Sequence, residues 1–137
     1  QVTDAAEPAA WWDGRPFDAI LLDAPCSASG IVRRHPDVRW LRRDSDIAQL
    51  AAQQDRLLRT LWPLLRPGGV LLYCTCSVFR QEGAERVQAF VAHNTDAAIL
   101  PAPGHLLPGA DDAPAAVGDN QARDDGFYYA LLARRAA

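Results

Sequence analysis

Apolar residues are concentrated in two short, continuous runs. Each run ends in a polar residue, and a cysteine follows within three residues. The first run covers residues 17–23 (FDAILLD) and the second covers residues 70–75 (VLLYCT). Neither run alternates strictly between apolar and polar positions, which is typical of strands in a parallel sheet that is covered on both faces. We therefore predict two buried strands at these positions.

The segment between the two runs has the period of an amphipathic helix. Asp44 is a candidate N-cap, and after it apolar side chains recur with i, i+3, i+4 spacing, with Gln54 as the only polar member of the face. The residues of this face are Ile47, Leu50, Ala51, Gln54, Leu57, Leu58, Leu61 and Leu65. Pro63 should kink or end the helix, and residues 66–69 (RPGG) predict a turn. A helix of this length provides the crossover of a right-handed βαβ unit, so the two strands should be adjacent and parallel.

Shorter patterns follow the second strand. A second helix is predicted over about residues 81–93, followed by strands at residues 97–100 and 127–132. The inward-facing residues of this helix are Val87, Phe90 and Val91. Strands that alternate with helices in this order predict an α/β fold with helices on both faces of the sheet.

The remaining segments lack a clear period. Residues 1–16 are rich in Ala and Pro and predict a connection into the first strand, so residues 17–137 form the one predicted domain. Residues 31–43 predict an irregular segment with a break at His35-Pro36. Residues 101–125, rich in Pro, Gly, Ala and Asp, predict a long loop.

Composition narrows the protein class. The 137 residues carry a net charge of −3 and three cysteines, an odd number that argues against a disulfide framework and favours reduced thiols in the cytoplasm. No run approaches the roughly 20 apolar residues of a membrane span, and the first ten residues do not resemble a signal peptide. The absence of Met indicates a chain cut from a longer one. Nothing in the composition indicates the oligomeric state.

Two cysteines lie directly after the predicted strands. Cys26 follows the first strand and Cys76 follows the second, so both should lie at the carboxyl ends of adjacent strands, within about 10 Å of each other. Ligands bind at this edge of open α/β sheets. Cys76 is the candidate nucleophile because it precedes a helix. Asp23, an acid at the end of a strand predicted to be buried, indicates a binding role.

Cys74 lies inside the second strand and is expected to be a small buried hydrophobe that points away from the other two thiols. A metal site remains an alternative, built from the three cysteines and one of the histidines. Those histidines are His35, His93 and His105. The paired CxxC spacing of structural zinc sites is absent, so we predict no metal.

Charge is unevenly distributed. Residues 31–43 carry five arginines and one acid, a local charge of +4 against −7 for the rest of the chain. The arginines are Arg33, Arg34, Arg39, Arg42 and Arg43. A basic stripe beside an active-site edge suits a nucleic-acid backbone, although an Arg-rich solvated loop is an equally good interpretation of the stripe alone.

Three sequence blocks in this order resemble the RNA cytosine-5 methyltransferase family. The blocks are FDAILLDAPCSASGIVRRHPDVRWLRR, LRPGGVLLYCTCSV and DGFYYALL. Within that family the likeness is greatest to bacterial members that act on 16S ribosomal RNA. The resemblance implies a Rossmann-like class I methyltransferase fold with an antiparallel last strand, S-adenosylmethionine as cofactor, and ribosomal RNA as partner.

The resemblance also implies roles for individual residues. Cys76, in the Thr-Cys-Ser motif, would add to carbon 6 of the cytosine, and Cys26 would be needed to release the methylated RNA. Asp23 would hold the cytosine, and Asp23 and Pro25 would lie at the cofactor. The arginines of residues 31–43 would lie against the RNA backbone, with the target base out of its stack.

The chain departs from the family in one respect: no two glycines form the Gly-X-Gly of a cofactor loop. The chain is therefore expected to be the C-terminal part of the catalytic domain, and to be inactive alone. Two alternatives remain. One is an amino-group methyltransferase with an Asp-Pro-Pro-Tyr-like motif at this position, and the other is a non-catalytic RNA-binding module.

Overall fold

The computed structural model describes residues 2–108 and 125–136. Within these ranges the chain forms four strands and three α-helices around one sheet. In chain order they are β1 (Phe17–Asp23), α1 (Val38–Leu41), α2 (Asp44–Leu61), β2 (Leu65–Thr75), α3 (Ala84–His93), β3 (Ala97–Leu106) and β4 (Phe127–Arg134).

The strand order in the sheet is β1-β2-β4-β3. β1 and β2 are parallel neighbours, and β4 runs antiparallel to both β2 and β3. The parallel pair with α2 as its crossover was predicted from the apolar pattern, and the antiparallel last strand was implied by the family resemblance. Because β1 and β2 end at the same edge, the loops that follow them are adjacent in space.

The main core lies on one face of the sheet. Leu71, Tyr73 and Thr75 of β2 are buried, whereas the alternate residues of the same strand are half-buried. The buried residues of α2 and α3, among them Leu58 and Phe90, belong to the same apolar cluster. The predicted helical cover on both faces is therefore present on one face only among the described residues. The two-residue period of a strand places every second side chain on the opposite face.

α2 matches the predicted helix closely, and only its N-cap residue differs from the prediction. α2 begins at Asp44, but its N-cap is Arg43, whose backbone N–H donates to the Asp46 carboxylate at 3.0 Å. The helix ends before Pro63, which lies in the 3₁₀ turn Trp62–Leu64. Gln54 is fully buried on the predicted face.

β2 begins at Leu65 rather than at residue 70, because the expected RPGG turn is absorbed into the strand. Phe17 pairs with Leu65 and Ala19 pairs with Val70, so β2 carries three extra residues across this interval. Gly68 has a φ of +79°, a left-handed conformation that glycine adopts without steric cost. The turn residues thus form an irregularity inside the strand.

The segments around α3 and β3 also differ from the prediction. A 3₁₀ turn, Arg80–Glu82, precedes α3, which starts at Ala84. β3 continues through Leu106, so residues 101–106 of the predicted loop are strand, with a shift of register between Leu100 and Gly104. The predicted loop residues 109–124 lie outside the described residues. β4 extends two residues beyond its predicted end.

β1 is an edge strand in the described part of the chain and pairs only with β2. Its Leu21 side chain is 68% exposed on the face that carries no helix. In the described residues no helix is long and apolar enough to cross a membrane.

Candidate active site

Cys26 and Cys76 lie side by side where β1 and β2 end. Their sulfur atoms are 3.3 Å apart, well inside the predicted limit of about 10 Å. Both side chains are half-buried, and neither forms a disulfide. Parallel pairing of β1 with β2 accounts for this proximity, because the carboxyl ends of both strands then lie at the same edge of the sheet.

Backbone hydrogen bonds hold the loop after β1 against the end of β2. The N–H of Ala24 donates to the carbonyl of Cys74, and the N–H of Gly30 donates to the carbonyl of Cys76, both at 2.9 Å. Between these two anchors Ala28 adopts a left-handed conformation with a φ of +60°. Such a conformation costs a non-glycine residue about 1 kcal/mol. The two anchors hold the loop in that shape.

The two thiols differ in their tendency to ionise. The hydrogen bond from the Cys26 thiol lowers the pKa of Cys76 to about 7, even though burial acts in the opposite direction. The same hydrogen bond, together with burial, raises the pKa of Cys26 far above its usual value. As the pH rises through about 7, the pair therefore loses its first proton from Cys76, and the remaining proton lies on Cys26.

A buried carboxylate lies beneath the pair. Glu82, in the turn before α3, is fully buried and accepts four hydrogen bonds. Oε1 accepts from the Ser27 N–H at 2.9 Å and the Gln54 side-chain amide at 3.2 Å. Oε2 accepts from the Ser27 and Ser77 hydroxyls at 2.6 Å each. Gln54 also donates to the Pro25 carbonyl at 2.9 Å, which ties α2 to the loop after β1.

Sequence reasoning missed Glu82. The only signal was an acid six residues after Cys76, in a segment assigned to a helix, where acids are ordinarily exposed. Its partners come from three separate segments of the chain. No local pattern could have indicated that they meet.

Asp23 and Cys74 contact each other, and both are more exposed than predicted. Asp23 is exposed, so the argument that its carboxylate is a costly buried charge was wrong. Cys74 is half-buried and faces the Asp23 carboxylate, with 3.7 Å between Sγ and Oδ1, because the two residues are register partners in β1 and β2. Burial and the neighbouring carboxylate raise the pKa of Cys74 to about 11. Cys74 thus lies beside the candidate site but remains a protonated thiol at neutral pH.

The arginines of residues 31–43 are divided between two surroundings. Arg33 and Arg34 both lie within ion-pair distance of Asp125. Arg39, Arg42 and Arg43 line a cavity of about 350 Å³ whose other walls include Ser27 and Ser29 of the cysteine loop. The Nε of Arg42 also donates to the Ser27 carbonyl at 3.0 Å. Part of the segment is helical, as α1, and not irregular as predicted.

In the described ranges, no group of three or more His, Cys, Asp or Glu side chains is placed to hold a metal ion, which was the alternative left open by the sequence. His93 instead makes a hydrogen bond of 2.8 Å between its Nδ1 and the Ala89 carbonyl within α3.

Comparison with known proteins identifies the family. The model of the family described as 16S rRNA methyltransferase RsmB/F matches residues 1–133. The chain belongs to this family. The resemblance stated from the three sequence blocks is therefore confirmed, and so is the Rossmann-like methyltransferase fold.

Individual members of the RsmB/F family and solved structures show the extent of the similarity. Ribosomal RNA small subunit methyltransferase B from Salmonella arizonae is 48% identical over 132 residues, which cover 96% of this chain and 30% of that protein. A methyltransferase homolog protein from Pyrococcus horikoshii has a TM-score of 0.68 at 27% identity, covering 96% of this chain and 43% of the other. NSun6 from Pyrococcus horikoshii with SFG has a TM-score of 0.74 at 24% identity, covering 100% of this chain and 34% of the other. The chain thus spans about 30% of the length of the curated relatives it matches.

Proposed function

We propose that the protein containing this chain methylates carbon 5 of a cytosine in 16S ribosomal RNA, with S-adenosylmethionine as methyl donor. In this proposal residues 17–137 form the C-terminal part of the catalytic domain. Membership of the RsmB/F family supports the class of reaction and of substrate. The observation that carries the covalent mechanism is the 3.3 Å contact between the sulfurs of Cys26 and Cys76 at the carboxyl edge of β1 and β2.

Cys76 is proposed as the nucleophile. Its thiolate, populated at neutral pH because Cys26 donates a hydrogen bond to it, would form a bond from Sγ to carbon 6 of the cytosine. The electron pair displaced from the ring then makes carbon 5 nucleophilic enough to take the methyl group. The cofactor, when bound, supplies that methyl group as an electrophile.

Cys26 is proposed to serve product release. Release requires that the proton on carbon 5 is removed and that the bond between Sγ of Cys76 and carbon 6 breaks, which restores the aromatic ring and the thiolate. The pKa of Cys26 is high mainly because it donates its hydrogen bond to Cys76. When the Cys76 sulfur is bonded to carbon and neutral, this cause is gone. Cys26 then gives its proton to solvent more readily, and the resulting thiolate can accept the proton from carbon 5.

Asp23 and Pro25 are proposed to face the cytosine and the edge of the cofactor. Both are exposed at the carboxyl end of β1, where ligands of open α/β sheets bind, so both are free to contact them. The exposed carboxylate of Asp23 can hydrogen-bond the exocyclic amino group of cytosine or a protonated ring nitrogen. The chain contains no Gly-X-Gly, so the remainder of the cofactor site must be built by other residues of the protein.

The RNA-binding surface is proposed to run along residues 31–43. Arg39, Arg42 and Arg43 surround the cavity beside the cysteine loop and can neutralise phosphates that flank the target base. Trp40 is 87% exposed between them, as is typical of an aromatic platform for an unstacked base. Arg33 and Arg34, already close to Asp125, have a smaller role in this proposal.

Because its proposed substrate is ribosomal RNA, the protein is proposed to act in the cytoplasm, where ribosomes are assembled.

A covalent trap tests the proposal. The complete protein is incubated with S-adenosylmethionine and a 16S RNA fragment that contains 5-fluorocytosine, whose fluorine cannot leave carbon 5 as a proton does. A protein–RNA band that survives a denaturing gel is expected, and 5-methylcytosine is expected in digests of the ordinary RNA. Methylation on an amino group without a band would contradict carbon-5 chemistry. Binding with neither band nor methylation would indicate a non-catalytic RNA-binding protein.

A further inference from the structure

Glu82 connects the two cysteine loops at the residues that follow the cysteines. Ser27 comes directly after Cys26, and Ser77 comes directly after Cys76. Both hydroxyls donate to the same oxygen of Glu82, at 2.6 Å, a length typical of hydroxyl-to-carboxylate bonds. One carboxylate therefore fixes the backbone of both loops one residue away from the thiols.

Glu82 is itself held by the sheet. Its backbone carbonyl accepts a hydrogen bond of 2.8 Å from the Tyr73 hydroxyl, and Tyr73 is a fully buried residue of β2. Glu82 is thus anchored to β2, the strand that Cys76 directly follows. Both the backbone and the side chain of Glu82 are therefore held in place by hydrogen bonds.

The direction of every hydroxyl in the cluster follows from the carboxylate. Ser27 and Ser77 each have one proton, and both protons point at Glu82, so their oxygens are left to accept. The Ser77 oxygen accepts the Phe79 N–H at 3.0 Å. Ser29 accepts the Val78 N–H at 3.1 Å and lies 3.1 Å from both other hydroxyls, so its proton goes to one of them. Oε2 of Glu82 thus serves as the shared acceptor that orients the cluster.

We propose that Glu82 is a positioning residue that sets the separation and orientation of Cys26 and Cys76, so that both sulfurs address the same cytosine ring. The inference rests on the proposed function, in which the two thiols act successively on one base. Glu82 is fully buried, so in this proposal it has no direct contact with substrate. It acts through Ser27 and Ser77. A buried carboxylate is costly unless it is hydrogen-bonded, and here all its partners belong to the cysteine loops or brace them.

The test replaces Glu82 with Gln in the complete protein, and its matched control is Glu85→Gln. Glu85 lies three residues later on α3, with its side chain half exposed and 3.6 Å from Arg80, outside the site. Glu82→Gln replaces one acceptor oxygen by an NH2 group that donates. Either the two hydroxyls, or the Ser27 N–H and the Gln54 amide, then lose their acceptor, so the loops are expected to shift. Misplacement of reacting groups by about 1 Å costs on the order of a hundredfold in rate. We expect kcat to fall by roughly tenfold to a hundredfold with KM for RNA within about twofold, and no change for Glu85→Gln.

The pKa of Cys76 distinguishes positioning from other roles. The groups that face this thiol are Cys26, Asp23 and Glu82. The charge of Glu82 raises its pKa and the hydrogen bond from Cys26 lowers it, the latter being the larger effect. If Glu82 positions the pair, Glu82→Gln weakens that hydrogen bond and the pKa of Cys76 rises by about one unit. If Glu82 is only a nearby charge, the pKa falls. The measurement is the rate of Cys76 alkylation by iodoacetamide against pH, with the labelled cysteine located by mass spectrometry.

An upward shift in Glu82→Gln supports the proposal, and a downward or absent shift in a folded variant overturns it. If Glu82→Gln does not fold, Ser77→Ala removes one of the two 2.6 Å links with a smaller change, and the same upward shift is required. Alkylation needs neither cofactor nor RNA. A protein with the expected shift but without 5-methylcytosine would therefore refute the proposed function while leaving the positioning by Glu82 in place.

Discussion

Cys26 and Cys76 carry the same thiol group, but their pKa values are shifted in opposite directions. The hydrogen bond between them leaves the proton on Cys26 and the negative charge on Cys76, which lowers the pKa of Cys76 to about 7. Cys74, two residues away, has its pKa raised to about 11 by burial and by Asp23. Of the three thiols in this region of the fold, Cys76 is thus the one whose pKa lies near neutrality.

Substituting each thiol of the pair separately tests the division of labour. Cys76→Ser removes the proposed nucleophile, so no covalent RNA adduct should form with unmodified substrate and S-adenosylmethionine. Cys26→Ser should still permit attack and methyl transfer, but the product should remain bonded to Cys76. A denaturing gel of each variant reads out the difference, with a persistent band for Cys26→Ser only.

The two substitutions each exchange one sulfur for one oxygen, so opposite outcomes cannot result from packing. Cys74→Ala is the third arm, and both steps should proceed because that thiol is protonated at neutral pH. A persistent band in Cys76→Ser and none in Cys26→Ser would mean that the roles are reversed.

The reactive pair could be predicted at the residue scale, and its surroundings could not. Cys26 and Cys76 follow two apolar runs, so their positions at strand ends were enough to bring them together. The contact between Cys74 and Asp23 depends on the register of β1 against β2, which strand patterns leave open.

At the scale of elements, the parallel pair and its crossover helix were predictable because the two apolar runs are continuous and the helical period between them is broken only by Gln54. The ends of elements were not. Gly68 lets the chain bulge and continue as β2. Pro101 and Pro103 lie in the irregular stretch of β3 between Leu100 and Gly104, after which pairing with β4 resumes. Turn residues indicate a departure from regular pairing, but they do not indicate whether the strand resumes beyond it.

The loop after β1 depends on the absence of a side chain at Gly30. A Cβ there would lie 1.8 Å from the carbonyl oxygen of Gly126, whose own N–H donates to the Gly30 carbonyl at 2.8 Å. Gly30→Ala should therefore push the cysteine loop away from β4 and lower the free energy of unfolding by about 3 kcal/mol. The measurement is the urea midpoint of the complete protein, together with the yield of the 5-fluorocytosine adduct.

Gly104→Ala is the matched control. Gly104 has a φ of +72° and open space around its Cα, so alanine there costs only the left-handed strain of about 1 kcal/mol. Equal losses of stability in the two variants would show that the close approach of Gly30 to Gly126 is unimportant.

At the scale of the whole molecule, the described sheet brings both thiols, Asp23 and Glu82 together without residues from elsewhere. The chain spans about 30% of its curated relatives and lacks a Gly-X-Gly loop. We therefore expect the isolated chain to bind S-adenosylmethionine weakly or not at all in a calorimetric titration. Micromolar binding by the isolated chain would contradict its assignment as the C-terminal part of the catalytic domain.

The unpaired edge of β1 affects how the isolated chain behaves in solution. The outer backbone N–H and C=O groups of this strand have no partner strand in the described structure, and Leu21 beside them is largely exposed. Free strand edges of this kind recruit further strands. A concentrated sample should therefore form dimers and larger species, visible as a sedimentation coefficient that rises with concentration. A peptide that adds one strand to β1 would suppress this self-association.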